Sequence, residues 1–161
     1  MWVLPMTGDR KPYPFLQTVF DEFEAQFSPN AKWIAYVSDE GGESEVYVRP
    51  FPGPGNPTKV SKAGGWGPRW RKESTASGAA STFIGGLFYV TRDNRMMLAE
   101  LRSSGSEVEV RDRPLFGVPA FTQDYDVFPD AKRFLFNISI EPHESPPITL
   151  VVNWDAELKN R

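Results

Sequence analysis

Phe27-Ser28-Pro29-Asn30-Ala31-Lys32-Trp33-Ile34-Ala35-Tyr36-Val37-Ser38 decides the fold, because the chain repeats it. Near the other end stands Val127-Phe128-Pro129-Asp130-Ala131-Lys132-Arg133-Phe134-Leu135-Phe136-Asn137, with the same Pro, Asn or Asp, Ala, Lys order ahead of a strand-like run. A degraded third copy starts at Gly67-Pro68-Arg69-Trp70-Arg71-Lys72 and resumes at Leu87-Phe88-Tyr89-Val90-Thr91. The copies recur at intervals of about 40 to 60 residues, the length of a four-stranded propeller blade. Within the first copy Trp33, Ala35 and Val37 fall on one face of a strand and Ile34 and Tyr36 on the other. Both faces are apolar, so this strand belongs inside a stack of sheets.

Outward from that stretch the pattern fills in. Glu24 to Ser28 reads as a first strand, Pro29 to Lys32 as its turn, and Trp33 to Ser38 as the second strand. Asp39 to Glu43 is the next turn, Ser44 to Phe51 a third strand, and Thr58 to Ser61 a fourth at the edge. Pro52-Gly53-Pro54-Gly55-Asn56-Pro57 between the last two suits neither a helix nor a central strand. The following unit repeats the scheme, with strands at Pro68–Arg71, Leu87–Thr91, Met96–Leu101 and Val108–Arg111. A Ser/Ala/Gly-rich insertion, 73–86, reads as a flexible excursion by composition, and Pro114 to Thr122 as a loop. Third-strand positions recur as Trp2-Val3-Leu4-Pro5-Met6, Tyr47-Val48-Arg49-Pro50-Phe51, Met97 to Leu101 and Leu150 to Trp154.

The expected architecture is therefore an all-β chain of four-stranded antiparallel blades, about three per chain: a partial β-propeller over 1–161. It divides into a half blade (1–18), a blade (24–62), a blade carrying the insertion (67–118) and an incomplete blade (123–156). Propellers close by sharing one blade between their termini. Three blades do not make a ring, so the expectation is either self-association into a homodimer or a chain cut from a longer protein.

Composition agrees and sets bounds. Apolar residues are 40% and aromatics 14% of 161 residues, with 15 prolines and 13 glycines spread along the chain. That suits many short strands joined by turns. A net charge of −3 gives no basic footprint, and no nucleic-acid partner is expected. With no cysteine, thiolate metal sites and disulfides are excluded. No apolar run approaches the roughly 18 residues of a membrane helix, so this segment is not expected to insert in a membrane.

The repeat resembles the WD40-like repeat of TolB-type β-propellers, in which an apolar residue, Ser, Pro, Asp, Gly and Lys precede a β-rich segment ending in Ser. Tyr47-Val48-Arg49-Pro50-Phe51-Pro52-Gly53-Pro54-Gly55 and Pro147-Ile148-Thr149-Leu150-Val151-Val152-Asn153-Trp154 are similar to the propeller at the C-terminal end of certain bacterial serine/threonine protein kinases. The resemblance implies a sensor or interaction domain, placed beyond a membrane helix if the kinase-associated subgroup is the right one and cytoplasmic otherwise. Two departures stand out. Ala31 and Ala131 replace the family's Gly, which costs about 1 kcal/mol if that position has positive φ, and the insertion at 73–86 is not part of the pattern.

Little in the sequence carries chemistry. Kinase motifs are absent, no serine lies in Gly-x-Ser-x-Gly, and His143, beside Glu141 and Glu144, is the only histidine. Asp39, Glu40, Glu43 and Glu45 form an acidic run around Gly41-Gly42 without the spacing of a calcium loop. No catalytic residue, metal or cofactor is expected. Trp66, set among Gly64, Gly65 and Gly67, reads either as an exposed ligand-binding ring or as a cap on a blade edge. Arg69, Trp70 and Arg71 are candidates for the same face, or else a solvated strand edge. The function expected is non-catalytic binding of a protein, peptide or small ligand. The alternative is the regulatory part of a kinase or a prolyl-oligopeptidase-like enzyme whose catalytic domain lies elsewhere.

Overall fold

The structure is a computed structural model and describes residues 1–72, 83–104 and 107–139. Among the described residues every regular element is a strand. Two four-stranded antiparallel meanders form the centre. One runs β3 (Glu22–Phe27), β4 (Trp33–Ser38), β5 (Glu45–Pro50) and β6 (Thr58–Lys59), and the other β7 (Trp66–Trp70), β8 (Phe83–Val90), β9 (Arg95–Ser104) and β10 (Glu107–Gly117). Two-stranded sheets flank them: β1 (Trp2–Val3) with β2 (Tyr13–Pro14), and β11 (Thr122–Val127) with β12 (Phe134–Ile138).

The sheets stack in chain order, and three separate apolar layers hold them. Ala35, Val37, Val46 and Val48 of the first meander meet Trp70, Leu87, Tyr89 and Leu101 of the second. The second meander turns its other face, with Phe88, Val90, Met96 and Leu98, to Tyr125, Val127, Phe134 and Phe136 of the β11–β12 pair. Ile34, Tyr36 and Tyr47 pack under Met1, Phe15 and Leu16 beside the β1–β2 pair. Alternation along β4 and β8 thus sends one apolar set to each neighbour, which is why both strands read as apolar on both sides.

The repeated turn is a hairpin built by its own side chains. Ser28 N donates to the Trp33 carbonyl (2.9 Å), and Ala31 N to that of Ser28 (2.8 Å). Asn30 Oδ1 accepts from the Lys32 amide at 3.0 Å. In the second copy Phe128 N donates to the Arg133 carbonyl (2.9 Å), Ala131 N to that of Phe128 (2.8 Å), and Asp130 Oδ1 accepts from the Lys132 amide (2.8 Å). Ala31 and Ala131 have φ of 54° and 55°. Each alanine therefore sits where glycine is the unstrained choice. Asn94 does the same at φ 57° in the shorter turn between β8 and β9.

Two readings need correction. Residues 83–86 are strand rather than excursion: Phe83 pairs with Arg102 and Gly86 with Glu100. Their glycines are there for packing, since a Cβ on Gly85 would lie 3.1 Å from the Trp70 ring. The remainder of the insertion, 73–82, lies outside the described residues. Pro114 is within β10 rather than in a loop, opposite Met97, and a register shift follows between Pro114 and Phe116. A proline is tolerated there because β10 is an edge strand. The third strand expected at Ile148 to Trp154 lies outside the described residues, as does His143.

One feature repeats without a sequence signature. The first strands of both meanders break register just after their first paired aromatic, between Phe23 and Gln26 in β3 and between Trp66 and Arg69 in β7. The next residue has positive φ in each, Glu24 at 54° and Gly67 at 64°. Phe23 and Trp66 are therefore equivalent, and so are Phe27 and Trp70.

Candidate functional site

The kink places Phe23 and Trp66 at the same end of neighbouring strands, where they line an open cleft of about 470 Å³. Its other walls come from Glu43 and Ser44 in the turn before β5, Gly64 and Gly65 before β7, and Arg92 in the turn after β8. The glycines make the approach possible. A Cβ on Gly65 would stand 2.8 Å from Ser61, and one on Gly64, at φ 78°, would be 3.1 Å from Arg92 Cβ. Gly65 N donates to the Ser44 carbonyl at 2.9 Å, tying this loop to the neighbouring turn.

Trp66 is partly buried rather than free-standing. Its ring meets Tyr125 edge-on at 6.0 Å, and the Tyr125 hydroxyl donates to the Gly67 carbonyl. Burial pushes the Tyr125 phenol well above its ordinary pKa, so the hydroxyl keeps its proton and remains a donor. Phe23 faces the cleft with 42% of its surface exposed. At the rim Arg92 Nη1 lies 2.9 Å from Glu43 Oε1, both side chains largely exposed. The cleft thus combines two aromatic rings with one opposed charge pair that is easily exchanged for a ligand's charges.

Behind the cleft lies a buried acidic group. Glu45 is 4% exposed, with Oε1 at 2.6 Å from Lys59 Nζ and Oε2 accepting from the Ser61 hydroxyl. Burial by itself would raise its pKa. Hydrogen bonds from Lys59, Ser61 and the Gly64 amide, with the Lys59 charge, outweigh that and hold Glu45 below the usual carboxylate range. The acidic run read from the sequence is consequently dispersed: Glu45 pairs with Lys59, Glu43 with Arg92, and Asp39 accepts from the Asp21 amide at 3.0 Å. Among the described residues no group of three or more His, Cys, Asp or Glu is placed to hold a metal.

The structure separates the four residues that the sequence grouped. Trp66 is alone of them in this cleft; Arg69 and Trp70 line a different one, of about 380 Å³, at the other end of β7 with Phe27, Pro29 and Lys72. Trp70 is core. It is 8% exposed, and its Nε1 donates to the Gln26 carbonyl at 3.1 Å, which fastens β7 to β3. Arg69 pairs with Asp124 at 2.8 Å and lies over the Tyr125 ring, tying β7 to β11. Arg71 is exposed just past β7, where its amide donates to the Gly86 carbonyl. Sequence reasoning missed Phe23 and Arg92, and weighed Glu43 only as part of the acidic run. Only the repeat holds a trace of them: Phe23 occupies the position of Trp66, and Glu43 and Arg92 stand in equivalent turns.

Comparison with family models, with curated proteins and with solved structures returns no match.

Proposed function

We propose that the chain is a non-catalytic binding module of β-propeller type, and that the Phe23–Trp66 cleft is where it takes its ligand. Meander sheets stacked in chain order, each with its first strand against that of the next, support the propeller reading. So does the resemblance of the repeated turn to TolB-type propellers. The cleft carries the binding reading: an aromatic pair with an adjustable charge pair fits an extended peptide bearing an apolar side chain next to a charged one. Self-association into a homodimer belongs to the same reading, because about three blades do not make a ring.

A library of surface-displayed peptides screened against the protein tests the proposal. Selected peptides are expected to bind Trp66→Ala at least thirtyfold more weakly, the roughly 2 kcal/mol of an aromatic hot spot. Equal binding to both proteins would contradict the assignment of the cleft.

A second reading is the regulatory part of a larger enzyme, a kinase sensor or a peptidase gate. The stretch from Tyr47 to Gly55, which resembles the propeller attached to certain bacterial kinases, favours it. Catalytic motifs in the same reading frame would distinguish it from a free-standing binder.

A further inference from the structure

An arginine held between an aromatic ring and a carboxylate recurs in this molecule. Arg69 sits over the Tyr125 ring, 5.5 Å from its centroid, and pairs with Asp124 at 2.8 Å. Arg133 sits over Phe128 at 3.7 Å and pairs with Asp130 at 3.1 Å. The Phe23–Trp66 cleft holds the same parts, two rings and the carboxylate of Glu43, with one difference. Arg92 holds Glu43 from the rim, and among the described residues no cationic side chain lies over either ring.

The space is peculiar to this interface. Val127 answers to Phe27 in the repeat, so Phe121, Thr122 and Gln123 of the next interface stand where Gly64, Gly65 and Trp66 stand in this one. Phe121 and Gly64 share a left-handed backbone, at φ 61° and 78°, which supports the equivalence. Glycine at the first two positions leaves room beside the strand ends, and tryptophan at the third supplies a second ring beside Phe23.

The charges around the cleft select the sign of its ligand. The start of β3 and the turn after β4 bring Asp21, Asp39, Glu40 and Glu43, with no Lys or Arg within 18–27 or 38–48. Lys59, behind them, is taken by Glu45 at 2.6 Å, and Arg95 on the opposite wall's turn by Asp93 at 2.9 Å. Arg92 is left to balance this end of the first meander. Its guanidinium and the Glu43 carboxylate are both largely exposed, so they separate at little cost.

We propose that the cleft takes an arginine side chain of a bound peptide, its guanidinium on Glu43 in place of Arg92 and its apolar stem across Phe23 and Trp66. This names the ligand class of the binding cleft and rests on that reading. A planar guanidinium stacks on aromatic rings and meets a carboxylate through two parallel N–H donors. The stem buries against apolar surface while the head stays with its charge partner.

Blocked tripeptides Ala-Arg-Ala and Ala-Glu-Ala, titrated into isotope-labelled protein and followed by NMR, test this. The Trp66 indole N–H resonance is assigned by its loss in Trp66→Phe. The arginine peptide is expected to shift that resonance saturably, and the glutamate peptide to leave it in place. Glu43→Gln should weaken the arginine peptide several-fold, whereas Arg92→Ala should tighten it several-fold by removing the competitor. Both substitutions change exposed side chains and should leave the rest of the spectrum folded. An anionic ligand reverses both signs. A shift with the glutamate peptide that Arg92→Ala weakens would overturn the arginine assignment and leave the cleft as a binding site. No shift with the arginine peptide, while library peptides still depend on Trp66, would overturn it in the same way. Library peptides indifferent to Trp66→Ala, with neither tripeptide shifting the indole, would overturn the cleft itself.

Discussion

Trp70 and Phe27 occupy the same place in successive sheets, yet one is 8% exposed and the other 54%. Their own strands do not explain the difference. Each stands opposite an equivalent apolar residue, Trp70 against Leu87 and Phe27 against Ile34. What differs is the sheet in front. Trp70 faces a four-stranded meander that supplies the Gln26 carbonyl and the Trp33 side chain, whereas Phe27 faces the two-stranded β1–β2 sheet. In this molecule burial is a property of the neighbour, as expected of stacked repeats whose stability comes largely from the interfaces between units.

The largest effect should come from breaking the interface between the two meanders. Trp70→Ala is expected to lower unfolding free energy by about 3–5 kcal/mol, since it opens a cavity and strips the Gln26 carbonyl of its donor. Phe27→Ala should cost about 1 kcal/mol or less in dilute protein, because half its surface is already wet. Urea denaturation measures both. Equal losses would mean that the two interfaces are equally covered in solution.

Acid should come next and act on the same side. Glu45 beside Lys59 and Asp112 beside Lys62 and Tyr89 are held below the usual carboxylate range, in each case against a burial penalty that pushes the other way. A carboxyl whose folded pKa is depressed stabilises fully above its unfolded value, about 4, and loses that contribution as pH falls through the folded pKa. Stability is therefore flat near neutrality and falls below pH 4, and Glu45→Gln should flatten the fall. Urea midpoints measured between pH 7 and pH 3 check the sign, and a midpoint that rises on acidification would contradict it.

The smallest effect lies in the repeated turns. Ala31→Gly and Ala131→Gly should each stabilise by up to about 1 kcal/mol, because both alanines have positive φ. The second also asks whether the β11–β12 hairpin unfolds together with the two meanders, since thermal melting would then report both substitutions alike.

Much of the fold was legible because a repeat states it several times. The strand at Trp33–Ser38 and the turn before it follow from one pattern seen in two copies, whereas the positive φ of Ala31 entered only as a condition, through the glycine of the family that the repeat resembles. The kink after Phe23 was not legible, since nothing about Glu24 announces a left-handed backbone. Gly85 and Gly86 were misread because glycine marks a close approach as readily as a flexible link, and only the indole of Trp70 distinguishes the two. Of the site, Trp66 stood out by its flanking glycines. Its partners did not, because Glu43 and Arg92 are 49 residues apart and meet only once the sheets stack. Trp70 and Arg69 looked like surface chemistry for the opposite reason: adjacent in sequence to Trp66, they sit at the far end of a kinked strand.

Light scattering coupled to size exclusion, run over a range of concentrations, tests most directly the proposal that two copies of the chain associate. A mass of two chains that holds on dilution is the predicted result. A mass of one chain at every concentration would contradict it and leave Phe27, Trp2 and Leu135 as exposed as they are in the single chain.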